Sequence, residues 1–228
     1  MTPINGLTIA VPRGALFEET VDLLTDLGLD TAELRVNDRK LLFEDIGVIT
    51  MRPSDVPTYV EAGAADLGVT GKDVLAEQAL GQPPPGESAG SASAGGGREV
   101  YELLDLGYGR CTMVLATTVG PDPAAQALRR LGVMRVATKY PNIAARHFEE
   151  TGRQAEIVEV KGSVELAPLT GLVEAIVDLT ATGTTLRENN LVIREEIMEC
   201  TARLIANPVA HKLKAAAIDG LLERLRAG

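Results

Sequence analysis

Apolar and polar positions follow two rhythms along this chain. Leu7–Val11 (LTIAV) is an unbroken apolar run that suits a strand buried on both faces, whereas Leu16, Val21, Leu23, Leu24 and Leu27 form the stripe of a helix that Gly28 ends. Pro12-Arg13-Gly14 turns the chain between them. Ala32–Val36 and Ile46–Met51 are expected as further strands. Ser54 suits an N-cap, with Asp55 at the positive end of the helix and Gly63 stopping it. Asp66–Thr70 (DLGVT) then repeats the strand pattern, and Gly71-Lys72-Asp73 opens the next helix. Further on, Val100–Leu106 and Cys111–Thr117 predict long strands, with Gly107 and Gly109 as bends between them. Asp122–Leu131 and Asn142–Thr151 predict helices; Arg135–Thr138, Glu156–Val160 and Ala175–Leu179 predict strands. From Asn207, with Pro208 at a first helical position, Leu213, Ala217, Leu221 and Leu225 recur every four residues, the mark of one amphipathic helix. Its apolar face needs a partner, either its own domain or another subunit. Strands alternating with helices in this way predict an α/β fold with a mainly parallel sheet covered by helices.

One segment breaks the pattern. Residues 83–97, PPPGESAGSASAGGG, hold eleven Pro, Gly or Ser in fifteen positions, leaving almost nothing to bury, and are expected to form a disordered loop. The rest is long enough for one large domain or two small ones. A net charge of −10 repels a phosphate backbone, and three Phe, four Tyr and no Trp leave few stacking platforms, so nucleic acid is not an expected partner. No run approaches a membrane span and no export signal opens the chain, so no membrane association and a cytoplasmic location are expected. Cys111 and Cys200, 89 positions apart, lack the spacing of a zinc site or a disulfide framework, and both suit a core in a reducing compartment. His147 and His211 suit surface or packing positions.

The stretch DLTATGTTLRENNL, from Asp178 to Leu191, carries the most chemistry. An acidic residue closes a buried strand, a Thr/Gly run turns the corner, and a helix begins. Gly183 permits close backbone approach, while the N–H groups and the hydroxyls of Thr180, Thr182, Thr184 and Thr185 can converge on an anion. Asp178 beside them can hold ribose hydroxyls, so the pattern fits a sugar phosphate. The same run also serves as a plain strand-to-helix corner capped by Thr. Arg52, Lys72 and Asp73 sit just past strand ends, where open α/β sheets place their ligands. Asp55 suits simple capping.

This stretch, together with MRPSDVPTYVEAGAADLGVTGKDVLAE (51–77), RVATKYPNIAARHFEE (135–150) and VKGSVELAPLTGLVEAIVDLTATGTTLRENNL (160–191), resembles the signature runs of the ATP phosphoribosyltransferases, first enzymes of histidine biosynthesis. The resemblance covers nearly the whole chain apart from 83–97. It implies two α/β domains with a cleft between them, as in type II periplasmic binding proteins. The first would be discontinuous, 1–106 plus about 187–228, and the second, 107–186, would carry the phosphoribosyl-diphosphate loop. It also implies the reaction: N1 of the adenine of ATP attacks C1′ of phosphoribosyl diphosphate and diphosphate leaves, assisted by substrate-bound Mg2+.

On that resemblance Asp178, Thr180, Ala181, Thr182, Gly183, Thr184 and Thr185 would bind phosphoribosyl diphosphate. Arg13 and Gly14 match the basic residue and glycine of the family's N-terminal loop, and Arg13 and Asp178 would be catalytic. The family's second basic residue is Ala15 here, which weakens that loop's hold on phosphate. Arg13, Gly14, Arg52, Lys72, Asp73, Lys139, Tyr140 and Glu165 would line the ATP site, with Tyr140 equally suited to packing and Glu165 to a helix N-terminus. The chain resembles the family's short form. That form implies a homo-oligomer, such as a dimer, joined to a regulatory subunit similar to histidyl-tRNA synthetase. Two other readings stand beside this one: a non-enzymatic solute-binding module and a phosphoribosyltransferase acting on a free base.

Overall fold

The computed structural model describes residues 4–81 and 100–227, so the 83–97 stretch lies outside the described residues. In chain order come β1 (Ile9–Pro12), α1 (Phe17–Asp26), α2 (Ala32–Val36), β2 (Leu42–Phe43), β3 (Val48–Met51), α3 (Val56–Glu61), β4 (Leu67–Gly71) and α4 (Lys72–Leu80). Next are β5 (Tyr101–Asp105), β6 (Cys111–Thr118), α5 (Pro123–Leu131), β7 (Met134–Thr138), α6 (Pro141–Glu150), β8 (Ala155–Glu159), α7 (Leu166–Leu169), β9 (Ala175–Thr180) and α8 (Thr184–Glu188). Then follow β10 (Leu191–Cys200), β11 (Ala202–Ala206), α9 (Pro208–Leu213) and α10 (Ala215–Ala227). Among the described residues the chain forms two compact α/β units, one from 4–75, 100–109 and 201–227 and the other from 76–81 and 110–200.

The first unit is built on a six-stranded sheet, order β2-β3-β1-β4-β11-β5. Successive residues of its central strands feed two cores: Ile9, Val11, Leu67, Val69, Leu204 and Ala206 pack with α1 and α10, while Ala10 and Ile205 pack with Val56 and Val60 of α3. Helices therefore cover both faces, as an apolar strand run requires. Gly68 sets how close α3 lies, because a Cβ there would come within 2.6 Å of Val56 and 2.7 Å of Val60. The second unit has five strands, order β10-β6-β9-β7-β8, and again two cores: Met113, Leu115, Val136 and Val177 on one face, Val114, Ala116, Ala137 and Ile176 on the other.

Several expectations change. Both sheets are mixed: β3, β1 and β4 run parallel, as do β9, β7 and β8, but β2, β5, β6, β10 and β11 pair antiparallel. A buried apolar run reads the same in either direction, so the pattern sets no strand sense. Ala32–Val36 is a helix and not a strand. Its Ala-Glu-Leu-Arg core favours helix, only Leu34 is buried, Val36 is 83% exposed, and Arg35 reaches back to Glu18 and Asp22 on α1. The N-cap of α3 is Asp55, one residue later than expected, and its side chain makes no capping bond. The tail is two helices: Lys214 leaves helical geometry where its ammonium bonds Asp66 Oδ2 (2.8 Å) and the Gly6 carbonyl (3.1 Å), which turns Leu213 out to 81% exposure. Three strands, β2, β10 and β11, lie where the pattern yields no element. The charge run Arg194-Glu195-Glu196 hides the period of β10, an edge strand that tolerates such charge. Leu191–Cys200 pairs along β6 and so lies in the second unit, with the chain returning to the first at Thr201.

Candidate active site

Each unit presents its candidate residues at the carboxyl ends of its own parallel strands. In the first unit Arg13 and Gly14 follow β1, Arg52 follows β3, and Lys72 and Asp73 follow β4. The register pairs Pro12 with Met51, and β1 lies between β3 and β4, so the ends fan out at the point where crossovers diverge to either side.

Arg13 is half-buried. Its Nη2 donates to the carbonyls of Asn37 (3.3 Å) and Lys40 (3.1 Å), and its guanidinium lies 4.6 Å from the Phe17 ring centroid. Its Nε is buried without a partner among the described residues. This Arg is held by its own unit, not loosely solvated. Gly14 takes φ +92° and its carbonyl accepts Phe17 N–H at 3.0 Å, starting α1. Arg52 is exposed, and its carbonyl accepts the Asp55 N–H at 3.0 Å. Lys72 Nζ bonds Glu102 Oε2 at 2.7 Å, and Arg203 joins the same group through Glu102 (3.2 Å) and Asp105 (3.0 Å). Asp73 is buried and folds back over Gly71, leaving no room for a side chain at 71.

In the second unit the strand ends of β7 and β9 bring Lys139 and Asp178 together, with Lys139 Nζ 3.9 Å from Asp178 Oδ2. Asp178 is 8% exposed, and its Oδ1 accepts the Leu179 N–H at 2.9 Å. Burial raises its pKa; Lys139 and the Leu179 N–H pull it down, and the negative charge of Glu165 pushes it up again. Glu165 itself is the N-cap of α7 and makes no capping bond. Tyr140 is the N-cap of α6; its N–H donates to Thr138 Oγ1 at 2.9 Å and its ring packs against the core.

The loop after β9 is shaped from within. Thr180 Oγ1 accepts the Gly183 N–H at 2.9 Å, Thr182 and Thr184 hydroxyls meet at 3.0 Å, and Gly183 takes φ +70° to start α8. Ala181, Thr182, Thr184 and Thr185 are exposed. With α8 only five residues long, a macrodipole adds little. The donors are the first-turn N–H groups and the threonine hydroxyls themselves. Arg187 was not singled out by its sequence. Its guanidinium bonds Thr182 O and Thr184 Oγ1, both at 2.9 Å, and so straps the loop and places a positive charge beside it. Its position one helical turn after Gly183 is the signal that finds it. Buried carboxylate, nearby ammonium, hydroxyls and open N–H groups make an arrangement able to hold a phosphorylated sugar.

Comparison with known proteins bears on which one. A family model described as HisG: ATP phosphoribosyltransferase matches residues 52–227. The ATP phosphoribosyltransferase of Rubrobacter xylanophilus is 52% identical over 224 residues, 96% of this chain and 94% of that protein. That of Bacillus licheniformis is 44% identical over 223 residues, 96% and 93% respectively. Among solved structures, the ATP phosphoribosyl transferase (HisG:HisZ) complex from Thermotoga maritima aligns with TM-score 0.74 and 33% identity over 97% of both chains. The periplasmic aliphatic sulphonate binding protein SsuA of Escherichia coli aligns with TM-score 0.58 at 15% identity, over 96% of this chain and 70% of that one, a likeness of fold alone. With the strand-end site, the family model and relatives spanning nearly the full chain all in agreement, this chain belongs to the ATP phosphoribosyltransferase family, enzymes of the pentosyltransferase class.

Proposed function

We propose that the chain transfers the phosphoribosyl group of phosphoribosyl diphosphate to N1 of the adenine of ATP, releasing diphosphate and giving phosphoribosyl-ATP, the first step of histidine biosynthesis. The observation that carries this reading is the buried Asp178 carboxyl beside Lys139, at the mouth of the Thr180–Thr185 loop. The loop N–H groups and hydroxyls bind the 5-phosphate, and Asp178 accepts from the ribose hydroxyls. Ribose held at both ends leaves C1′ facing its attacker while charge of oxocarbenium kind builds there. No covalent nucleophile takes part. Arg13, Gly14, Arg52, Lys72, Asp73, Lys139, Tyr140 and Glu165 are the residues we propose for ATP binding. Arg13 serves phosphate oxygens with whatever donors its carbonyl partners leave open.

Mg2+ carried on substrate oxygens fits this donor set. Asp178 with the substrate's phosphate oxygens would be the one-carboxylate arrangement that Mg2+ accepts. When bound, it neutralises the departing diphosphate. No helix among the described residues is long and apolar enough to cross a membrane, and we read the location as cytoplasmic. The Thermotoga maritima relative is a HisG:HisZ complex; on that likeness we read this chain as joined to a second, regulatory subunit, while the homodimer and the similarity of that subunit to histidyl-tRNA synthetase rest on the family resemblance alone.

The test mixes the chain with ATP, phosphoribosyl diphosphate and Mg2+, adds pyrophosphatase, and follows phosphoribosyl-ATP by absorbance and mass spectrometry. Wild type makes product, while Asp178→Asn loses roughly 10–100-fold in kcat/KM, the worth of hydrogen bonds to a charged group. Diphosphate release without ATP would overturn ATP as acceptor. If the chain alone is silent, calorimetry with phosphoribosyl diphosphate decides: binding supports a partner requirement, and no binding removes the site.

A further inference from the structure

The chain's two cysteines, 89 positions apart, meet in the fold. Antiparallel pairing of β10 with β6 sets Cys200 directly opposite Cys111. Opposed residues of such a pair point to the same face with Cα atoms about 4.5–5.5 Å apart, inside the roughly 4.4–6.8 Å that a disulfide spans. Their Cβ atoms, typically about 4.5–5.5 Å apart in such pairs, need to close to about 3.8 Å. Cys111 is the first residue of β6 and Cys200 the last of β10, so the movement falls at the end of that ladder, between its last pair and the Ala202 N–H bond to the Tyr108 carbonyl at 2.9 Å. Accessibility is unequal: Cys111 is half-buried and Cys200 is 1% exposed. A partly exposed cysteine opposite a buried one is the disposition of an attacking and a resolving thiol.

We propose that Cys111 and Cys200 form a redox modification site that takes a small-molecule disulfide. The Cys111 thiolate attacks one sulfur of the disulfide and expels the first small thiolate, leaving a mixed disulfide. Cys200, its proton passed to solvent, then attacks the Cys111 sulfur and expels the second. The protein's two thiols lose two electrons and two protons, and the small disulfide gains them as two thiols. In a reducing compartment the resting state is the dithiol and the bridge is a transient, reversible one. Because the longer segment of the second unit is 110–200, the bridge fastens the two ends of that segment and closes it into one loop.

The experiment equilibrates the full chain, without oxygen, in graded ratios of oxidised to reduced glutathione, quenches with an alkylating reagent under denaturing conditions, and reads intact mass and peptides. Expected is a concerted fall from two alkylatable thiols to none, with a mass lower by two hydrogens and a peptide joining 111 to 200. Dithiothreitol should reverse it, and the bridged form should unfold at higher urea. Cys200→Ala should halt at one glutathione adduct on Cys111. Because Cys200 is buried and its variant can misfold, the wild-type titration decides. A stable glutathione adduct on Cys111 with Cys200 still alkylatable, a bridge between two chains, or two intact thiols under conditions that oxidise dithiothreitol would overturn the proposal.

Discussion

Gly183→Ala tests how the Thr180–Thr185 loop is held. Gly183 takes φ +70° as the N-cap of α8, and a Cβ added there would stand 3.0 Å from Arg187 Nη1. An L-residue in this left-handed region costs roughly 1–2 kcal/mol, while replacing Gly lowers the unfolded chain's entropy and returns about 0.4–1 kcal/mol. The net loss is about 1 kcal/mol, a fivefold change in the unfolding equilibrium. Arg187 is exposed and flexible, so it is expected to yield by releasing Thr182 O, its 2.9 Å partner, without adding much to the loss. Gly132→Ala is the control: Gly132 has nearly the same φ, +74°, with nothing within 4 Å of an added Cβ. Urea unfolding of the ligand-free chains gives the comparison, provided the slope with denaturant is unchanged. The two variants should lose similar stability, but only Gly183→Ala should weaken calorimetric binding of phosphoribosyl diphosphate, because it alone disturbs the strap. A Gly183→Ala chain that matches wild type in both stability and affinity would refute the argument that the left-handed turn builds the loop.

Asp178 should reveal a conflict between function and stability. Burial holds its folded pKa up, so the stability it contributes is complete below the ordinary carboxylate range and drains away as pH rises through the folded value. Asp178→Asn should therefore be more stable than wild type at neutral pH, with the advantage gone below about pH 4, when urea midpoints are compared across pH. Tyr108 donates its hydroxyl to Thr20 Oγ1 at 2.8 Å, since the Thr20 proton goes to Leu16 O at 2.6 Å, and burial pushes the phenol up to about 12. Tyr108→Phe should cost about 1–2 kcal/mol, and wild type should lose stability between about pH 10 and 12 to a degree that the Phe variant does not share. Glu77 accepts the Asn142 N–H at 2.9 Å and the Ile143 N–H at 2.9 Å, capping α6 from α4. Glu77→Ala should cost about 1–2 kcal/mol and expose those two amides to hydrogen exchange, while an unchanged exchange rate would show the cap to be idle.

The units of strand, turn and helix were legible because burial on both faces leaves unbroken apolar runs, and because a helix must gather its apolar residues on one side. The Thr/Gly turn before α8 was legible for a related reason: Gly183 and its threonines are a local device whose geometry is set within a few residues. Other features were hidden because they depend on neighbours far along the chain. The helix at Ala32–Val36 imitates a strand's alternation, and only the exposure of Val36 and the reach of Arg35 to α1 distinguish it. The charges of β10 mask a strand that exists because β6 supplies its partner.

By itself the amino-acid order determined that alternating apolar runs and stripes build helix-covered sheets, and that a carboxylate followed by a Thr/Gly turn stands at a strand's end. Only tertiary structure decided strand direction, the grip of Asn37 and Lys40 carbonyls on Arg13, the approach of Lys139 to Asp178, and the meeting of Cys111 with Cys200. The physical reason is range. Propensity, capping and turn chemistry act between residues close in the chain, whereas strand pairing, the burial of a charge and the opposition of two thiols are properties of surfaces that exist only once distant segments have packed.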